Sequence, residues 1–127
     1  MKVIIAGSRS LLRNPSKDDL DEITKAVINS KFSVTEVVSG GALGVDRAGE
    51  LWAESLPIPI PVRKFPADWS RYGPYAGFHR NKQMAEYADA LIVFWYGASR
   101  GTRQMIWVMM GQNKPIYHAQ IGGLTAP

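Results

Sequence analysis

The sequence has 127 residues, 46% of them hydrophobic, which suffices for one globular domain with a core of its own. It contains no cysteine, so disulfides and thiolate metal sites are excluded, and this composition fits the reducing cytoplasm, where we expect the protein to be located. The net charge of +4 favours an anionic partner, and no apolar run is long enough for a signal peptide or a membrane span.

The first half of the chain predicts two strand–helix pairs. A β-branched run over residues 2–6 predicts a buried strand. Residues 16–19, Ser-Lys-Asp-Asp, have the spacing of a capping box and predict a helix that runs to Ser30. A second strand over 33–38 leads through the stretch "SGGALGVD" to a second helix over 47–55, with apolar side chains at helical intervals.

The second half continues this alternation. Three prolines between residues 57 and 61 force extended backbone and lead into a third strand over 60–65. The aromatic and glycine-rich stretch over 66–77 is typical of a long connection, and "ADALIVFWY", which is apolar apart from Asp89, predicts a strand at the centre of the sheet. The remaining predicted elements are a helix from Phe78 to Tyr87, a last helix from Gly101 to Gly111, a fifth strand from Pro115 to His118, and a frayed tail from Gln120 to Pro127.

Alternating strands and helices predict the fold class. They imply a parallel sheet with right-handed crossovers and helices on both faces. We therefore expect a single Rossmann-like α/β domain of about five parallel strands over residues 3–118, followed by a C-terminal tail over 119–127. Sheets of this kind bind ligands beyond the carboxyl ends of their strands, where the strand order reverses, so the functional site is expected at that edge.

Glycine-rich loops are expected to meet at this edge. Gly40 and Gly41 let the backbone approach a ligand, and Gly101 repeats this device where Ser99 and Thr102 add hydroxyl groups. This pattern predicts a phosphate cradle; the alternative is that glycine only permits tight chain reversal. None of the loops is a G-x-G-x-x-G or a Walker loop, which argues against a dinucleotide dehydrogenase or an NTPase. The three loops are "GSR" (Gly7–Arg9), "SGGALG" (Ser39–Gly44) and "GASRGT" (Gly97–Thr102).

The arginines are distributed unevenly. Arginine presents a planar fork of donors that matches phosphate, whereas lysine is a hydrated point charge used for solubility. Seven of the eight arginines fall at or near the strand-to-helix connections, and Lys82 is the one lysine close to them. This favours a phosphorylated or polyanionic ligand over the alternative, a solvated charged face. The seven are Arg9, Arg13, Arg47, Arg71, Arg80, Arg100 and Arg103.

The order of these motifs resembles a known family. The segments "GSR", "VVSGGALGVDRAGELWA", "FPADWSRYGPYAGFHRNKQMAEYADALIVFW" and "GASRGTRQMI…GQNKPI" are similar to the YspA-like branch of the SLOG superfamily, over roughly Val3 to Tyr117. The resemblance implies a Rossmann-like fold that binds nucleotides or nucleotide-derived signals.

Two relatives within that superfamily imply different activities. Cytokinin-activating phosphoribohydrolases carry an Arg-x-x-x-Met helix, matched here by Arg80 and Met84, and a P-G-G-x-G-T-x-x-E motif whose glutamate is linked with N-glycosidic hydrolysis. Gly101 and Thr102 match that motif, but Met105 stands at the glutamate position, and a thioether can neither accept a proton nor stabilise an oxocarbenium ion. The DNA-processing protein of natural transformation, which binds single-stranded DNA, is similar at residues 39–46 and at Arg80-Asn81.

The leading hypothesis is therefore a binding domain that senses or sequesters a nucleotide or a nucleotide-derived small molecule. Phosphate is expected on the glycine loops, and the base and sugar near Asp46, Asp68 and Trp69. One alternative is hydrolysis of an N-glycosidic bond of a nucleoside monophosphate, with Asp46 or Asp68 replacing the missing glutamate; the other is single-stranded DNA binding. The candidate ligand-binding residues are Gly7, Ser8, Arg9, Ser39, Gly40, Gly41, Asp46, Asp68, Trp69, Arg80, Asn81, Ser99, Gly101 and Thr102.

These candidates also have structural interpretations. Arg9 suits a phosphate clamp or a solvated surface charge, and Arg80 a phosphate contact or an ion pair. Asp46 lies where a carboxylate complements a helix dipole and accepts loop amides, but it can instead hold ribose hydroxyls or act as a base. Asp68 can accept hydrogen bonds from a sugar or base, and Trp69 can stack on a base or anchor its loop.

No metal or cofactor is expected, because His79 and His118 have no histidine partner at metal-ligand spacing and there is no cysteine. Burial explains most of the apolar stretch from Met105 to Met110. The alternative is that Trp107 and Met109 form the seam of a homodimer or a higher homo-oligomer.

Overall fold

The structure, a computed structural model, describes residues 1–95 and 99–119. Strands and helices alternate along these residues. A short 3₁₀ turn, Gly73–Tyr75, joins the third helix to the fourth. The elements in chain order are β1 (Lys2–Gly7), α1 (Lys17–Ser30), β2 (Glu36–Ser39), α2 (Val45–Ser55), β3 (Val62–Lys64), α3 (Trp69–Tyr72), α4 (Ala76–Tyr87), β4 (Ala90–Phe94), α5 (Arg100–Gly111) and β5 (Ile116–His118).

The strands form one sheet in the order β3-β2-β1-β4-β5, with every neighbouring pair parallel. The predicted Rossmann-like α/β fold is confirmed. The chain builds outward from β1 to β3 and then crosses back to β4, so the strand order reverses between β1 and β4. The prediction that β4 lies at the centre is wrong by one strand, because β1 is central. All five β4 residues are nevertheless buried, since helices cover both faces there.

Helices cover the sheet on both faces and create two apolar layers. On one face α1 and α2 pack against the sheet, and Trp52 is fixed by a 2.9 Å hydrogen bond from Nε1 to Thr24 Oγ1. On the other face α4 and α5 contribute Met84, Met105 and Met109. Since alternate residues of a strand point to opposite faces, Ile4 and Ile5 belong to different layers.

The predicted capping box starts α1. The Ser16 side chain accepts from the Asp19 amide at 3.1 Å, and the Asp19 carboxylate accepts from the Ser16 amide at 3.0 Å. The connection over 66–77 is more ordered than predicted, because Asp68 caps the additional helix α3 by accepting from the Arg71 amide at 3.1 Å. The helix predicted from Phe78 begins two residues earlier, at Ala76, so residues 80 and 81 lie in its second turn.

The apolar stretch of α5 is mostly core. Met109 is fully buried, so its predicted place on an exposed seam is wrong; the exposed pair on this helix is Trp107 and Met110, at 69% and 61%. Ala119, predicted as the first tail residue, still packs on the core and donates to Val93 O at 2.9 Å. The predicted tail from Gln120 onward lies outside the described residues, as do Tyr96 and Gly97. No helix among the described residues is long and apolar enough to cross a membrane.

Candidate functional site

A cleft of about 640 Å³ opens at the carboxyl edge of the sheet, beside the reversal of strand order. Its walls come from the ends of β1, β2 and β3, the segment around α3, the inner face of α4, and the start of α5. The structure brings eleven of the fourteen sequence-predicted residues to this cleft: Gly7, Arg9, Gly40, Gly41, Asp46, Trp69, Arg80, Asn81, Ser99, Gly101 and Thr102. Ser8, Ser39 and Asp68 are not among the lining residues.

Arg80 is held in place by the protein before any ligand arrives. Its Nη1 donates to the carbonyl of Gly40, and its Nε donates to Asn81 Oδ1 at 3.0 Å. Asn81 is itself fixed, because its Nδ2 donates to Gly101 O at 3.2 Å and to Gln104 Oε1 at 2.9 Å. No hydrogen bond joins Nη2 of Arg80 to a residue within the described ranges, so that side of the guanidinium fork is available to a ligand.

Asp46 is the buried acid of the cleft. It lies in the first turn of α2 with 8% of its surface exposed, and its Oδ2 accepts from the Ala42 amide at 3.3 Å. Burial raises the pKa of Asp46 to about 6, opposed by the positive charge of Arg80 and by the Ala42 amide. Burial also lowers the pKa of Arg80, although Asp46 acts against that shift. The cleft therefore holds a partly buried guanidinium close to a buried carboxyl.

Ser39 has a structural role behind the cleft. Its hydroxyl donates to Glu50 Oε2 at 2.7 Å and accepts from the Gly41 amide at 3.1 Å, which fixes the glycine loop to α2. Glu50 also receives Arg47 at 2.9 Å and Lys64 at 3.3 Å. Burial acts to raise the pKa of Glu50, but the hydrogen bonds from Ser39, Arg47 and Lys64 outweigh it and lower that pKa.

The glycines of the site divide into two groups. A Cβ on Gly7 would lie 2.1 Å from Phe94 O, and one on Gly44, at φ +82°, would lie 2.6 Å from Arg9 O, so these two are required for close packing of the loops. Gly40 belongs to the same group, because a Cβ at this position would lie 2.8 Å from Asp46 Oδ2. Cβ atoms on Gly41 and Gly101 would meet nothing within 4 Å, which leaves their backbone open toward the cleft.

The N-terminus of α5 faces the cleft. Ser99 caps it by accepting from the Thr102 amide at 3.2 Å and from the Thr102 hydroxyl at 3.0 Å. The Thr102 hydroxyl, predicted as a ligand donor, is thus used within the cap, whereas no acceptor among the described residues takes the Ser99 hydroxyl hydrogen. The amides of Arg100 and Gly101 have no acceptor in the described part of the chain, and such amides are suited to an anion.

The rim of the cleft is aromatic and apolar. Trp69 is 61% exposed, and Phe78 and Leu43 are exposed beside it. A Cβ built on Gly77 would lie 3.8 Å from Arg80 Nη2 and 3.9 Å from Trp69 Cη2, so the free side of the arginine and the indole edge are close neighbours. Asp68 is exposed and occupied by its cap, where hydrogen bonds from Ser70 and the Arg71 amide lower its pKa.

Ser8 and Trp95 directly follow the adjacent strands β1 and β4. Ser8 is buried, and its backbone amide donates to Phe94 O at 3.2 Å. Its hydroxyl, predicted to contact ligand, finds no partner among the described residues, nor does the indole nitrogen of Trp95.

The sequence analysis missed part of the lining. Lys64 reaches the cleft although it was not counted with the cations of this edge, and Arg9 and Arg80 are the two arginines that line it. The other lining residues that it missed are Ala6, Ala42, Leu43, Phe65, Pro66, Ala67, Pro74, Gly77, Phe78, Met84 and Met105. The sequence signal that could have indicated these lining residues was the set of apolar residues that flank a glycine-rich connection. The described residues contain no group of three or more histidines and acids suited to a metal ion.

Comparison with solved structures reveals the same fold in a protein of bacteria. DNA processing protein A from Streptococcus pneumoniae is similar with a TM-score of 0.65 and 18% identity, over 97% of this chain and 52% of that one. The Helicobacter pylori protein of the same name, whose structure describes a single-stranded DNA binding mode, is similar with a TM-score of 0.59 and 21% identity, over 91% of this chain and 63% of that one. The chain thus spans about half to two thirds of these proteins.

No protein-family model matches the chain, and no curated protein is significantly similar to it in sequence. At these identities the structural likeness establishes the fold. The expected resemblance to the YspA-like branch of the SLOG superfamily stays a prediction.

Proposed function

We propose that the cleft binds a nucleotide or a nucleotide-derived small molecule, with the phosphate on Arg80 and the base against Trp69. The observation that carries this proposal is the fixed guanidinium of Arg80, which two protein acceptors orient while Nη2 is left for a ligand. A prearranged fork of this kind favours phosphate, because little side-chain entropy is lost when the anion binds.

Three further features support the phosphate end of the ligand. Arg9 lines the cleft and adds a second positive charge. The start of α5, with its open amides and the Ser99 hydroxyl, also lines the cleft. Gly41 and Gly101 leave room for the ligand to approach this backbone closely.

The size and rim of the cleft support the nucleoside end. A volume of about 640 Å³ falls within the range of small-molecule and cofactor sites. Trp69 is exposed at the rim and close to Nη2 of Arg80, which is the arrangement expected if one ligand carries both an anion and a flat apolar ring.

Single-stranded DNA is the second candidate, favoured by features outside the cleft. Tyr75 is exposed beyond the lining residues, and Arg100 and Arg103 are exposed in the first turn of α5, where cations oppose the helix dipole. The fold likeness to the Helicobacter pylori protein supports the same candidate. N-glycosidic hydrolysis, the third alternative, would depend on Asp46, since Asp68 caps α3 away from the cleft.

Membership of the YspA-like branch, a single domain over residues 3–118 and a cytoplasmic location remain parts of this proposal. Self-association is also proposed, but through the exposed Trp107 and Met110, because Met109 is buried. Their support comes from the ordered sequence motifs, the absence of cysteine and the exposure of that pair.

A thermal-shift panel tests the proposal. It contains AMP and other monophosphates, ADP-ribose, NAD, cyclic dinucleotides and a short single-stranded oligonucleotide, each at low and moderate salt. A ligand at a hundred times its dissociation constant stabilises the folded state by about 2.7 kcal/mol, which shifts the melting temperature by several degrees. A selective shift with one small nucleotide supports the proposal. Shifts with the oligonucleotide alone, removed by salt, favour DNA binding instead.

A further inference from the structure

The two buried acids of the site differ in how many hydrogen bonds they accept. Glu50 accepts from three partners, Ser39, Arg47 and Lys64, at 2.7 to 3.3 Å. Asp46 is comparably buried and lines the cleft, but in the described structure its side chain accepts a single bond, from the Ala42 amide at 3.3 Å. A carboxylate offers about four acceptor positions, so Asp46 retains unfilled acceptor capacity that faces the ligand space. Glu50 therefore serves the fold, and Asp46 is left for a ligand donor.

The surroundings of Asp46 restrict the kind of donor. A Cβ built on Gly40 would lie 2.8 Å from Asp46 Oδ2 and 2.9 Å from Arg80 Cζ, so the carboxylate and the guanidinium both reach within 3 Å of one point. The charges of Arg80 and Arg9 act on Asp46, so a cationic ligand group is attracted to the carboxylate and repelled by the arginines. An anionic group is attracted to the arginines and repelled by the carboxylate. A neutral hydroxyl donor is the group that suits both.

A ribose unit meets these requirements in one ligand. A phosphate on Arg80 brings the attached sugar close to Asp46, because the two side chains are neighbours across Gly40. The vicinal 2′ and 3′ hydroxyls of ribose donate two parallel hydrogen bonds, which one carboxylate can accept together. A 2′-deoxyribose retains one of these hydroxyls in a free nucleotide and neither of them inside a DNA strand.

We infer that Asp46 is a specificity-determining residue that accepts the vicinal diol of the ligand's sugar, so that the cleft selects ribonucleotides over deoxyribonucleotides. This inference rests on the proposed function and names the ligand class of the same cleft. It assigns the sugar to the wall formed by α2, next to the phosphate on Arg80.

Isothermal titration calorimetry of AMP and 2′-deoxy-AMP, with the 127-residue chain, tests the inference. We expect AMP to bind roughly tenfold or more tightly, because a hydrogen bond to a charged group is lost in the deoxy ligand. Asp46→Asn and Asp46→Ala should each reduce this preference to within about threefold. Glu54→Gln is the matched control, since Glu54 is an exposed acid on the same helix outside the lining, and it should keep the preference.

A second pair of ligands separates the sugar from the base. Ribose 5-phosphate should be preferred over 2-deoxyribose 5-phosphate by the wild-type protein, because Asp46 contacts the diol and not the base. Equal binding of AMP and 2′-deoxy-AMP, or a preference that survives both Asp46 variants, overturns the inference and leaves the proposed function standing. Failure of every nucleotide to bind overturns both. Equal binding of AMP and ribose 5-phosphate contradicts only the proposed contact of the base with Trp69.

Discussion

Replacing Asp46 by asparagine should stabilise the folded protein at neutral and alkaline pH. Burial raises the pKa of this carboxyl from 3.8 to about 6, so above pH 6 the folded state holds an ionised group that is disfavoured relative to the unfolded chain. At about 1.36 kcal/mol for each unit of pKa, the cost to the folded state is about 3 kcal/mol at pH 8. Asparagine keeps an acceptor for the Ala42 amide and removes the charge.

The sign of the pH dependence follows from the direction of the shift. Between pH 6 and pH 4 the folded protein binds a proton that the unfolded chain does not, so this carboxyl makes the wild type more stable as the pH falls through that window. The advantage of Asp46→Asn should therefore be largest at pH 8 and disappear near pH 4.

Urea unfolding at pH 8, 6 and 4 measures these differences. Glu54→Gln, which removes an exposed acid from the same helix, should change the free energy of unfolding by less than about 0.5 kcal/mol. A variant Asp46→Asn that is less stable than the wild type at pH 8 would refute the reasoning, since Asp46 would then be stabilised by partners that the structure lacks.

Four further predictions address the walls of the cleft and the salt dependence of binding. Gly7→Ala should abolish cooperative thermal unfolding, because its Cβ would lie 2.1 Å from Phe94 O. Gly101→Ala should instead raise the free energy of unfolding by roughly 0.5–1 kcal/mol and weaken AMP binding. An unchanged AMP affinity in Gly101→Ala would show that Gly101 does not approach the ligand. Trp69→Ala should lower AMP affinity in calorimetry by roughly 5- to 150-fold, because stacking of the base on the indole is lost. Binding of ribose 5-phosphate, which has no base, should be unchanged. An equal loss of affinity for both ligands would contradict the contact between Trp69 and the base. Wild-type affinity for AMP should fall less than about tenfold between 50 and 200 mM salt, whereas a loss of roughly a thousandfold would indicate many phosphate contacts along a DNA strand.

Local sequence signals predicted the fold well. The capping box before α1 depends on residues three apart, and the glycines at the strand ends depend on backbone conformation at their own positions. Both kinds of signal are local, so they can be recognised without knowing the fold. The alternation of strands and helices then restricts the topology to a parallel sheet with its site at one edge.

Contacts through space were not predictable in the same way. Ser39 and Asp68 have the residue types expected of a ligand site, but Ser39 is joined to Glu50, eleven positions away, and Asp68 caps a helix that the pattern did not indicate. Met109 was assigned to an exposed face although the crossing of α5 over the sheet buries it. In each case the deciding partner lies on another element, and its position depends on packing that local patterns do not encode.

The most direct test of the account is calorimetric titration of AMP into the wild type and into Arg80→Lys. Lysine keeps the positive charge but loses the fork that Gly40 and Asn81 orient. Lys82→Gln, an exposed cation on the same helix outside the lining, is the control. The account predicts one saturable site in the wild type and in Lys82→Gln, and an affinity at least about tenfold weaker in Arg80→Lys. Equal affinity in Arg80→Lys, or no binding of AMP by the wild type, would contradict the assignment of this cleft as a nucleotide site.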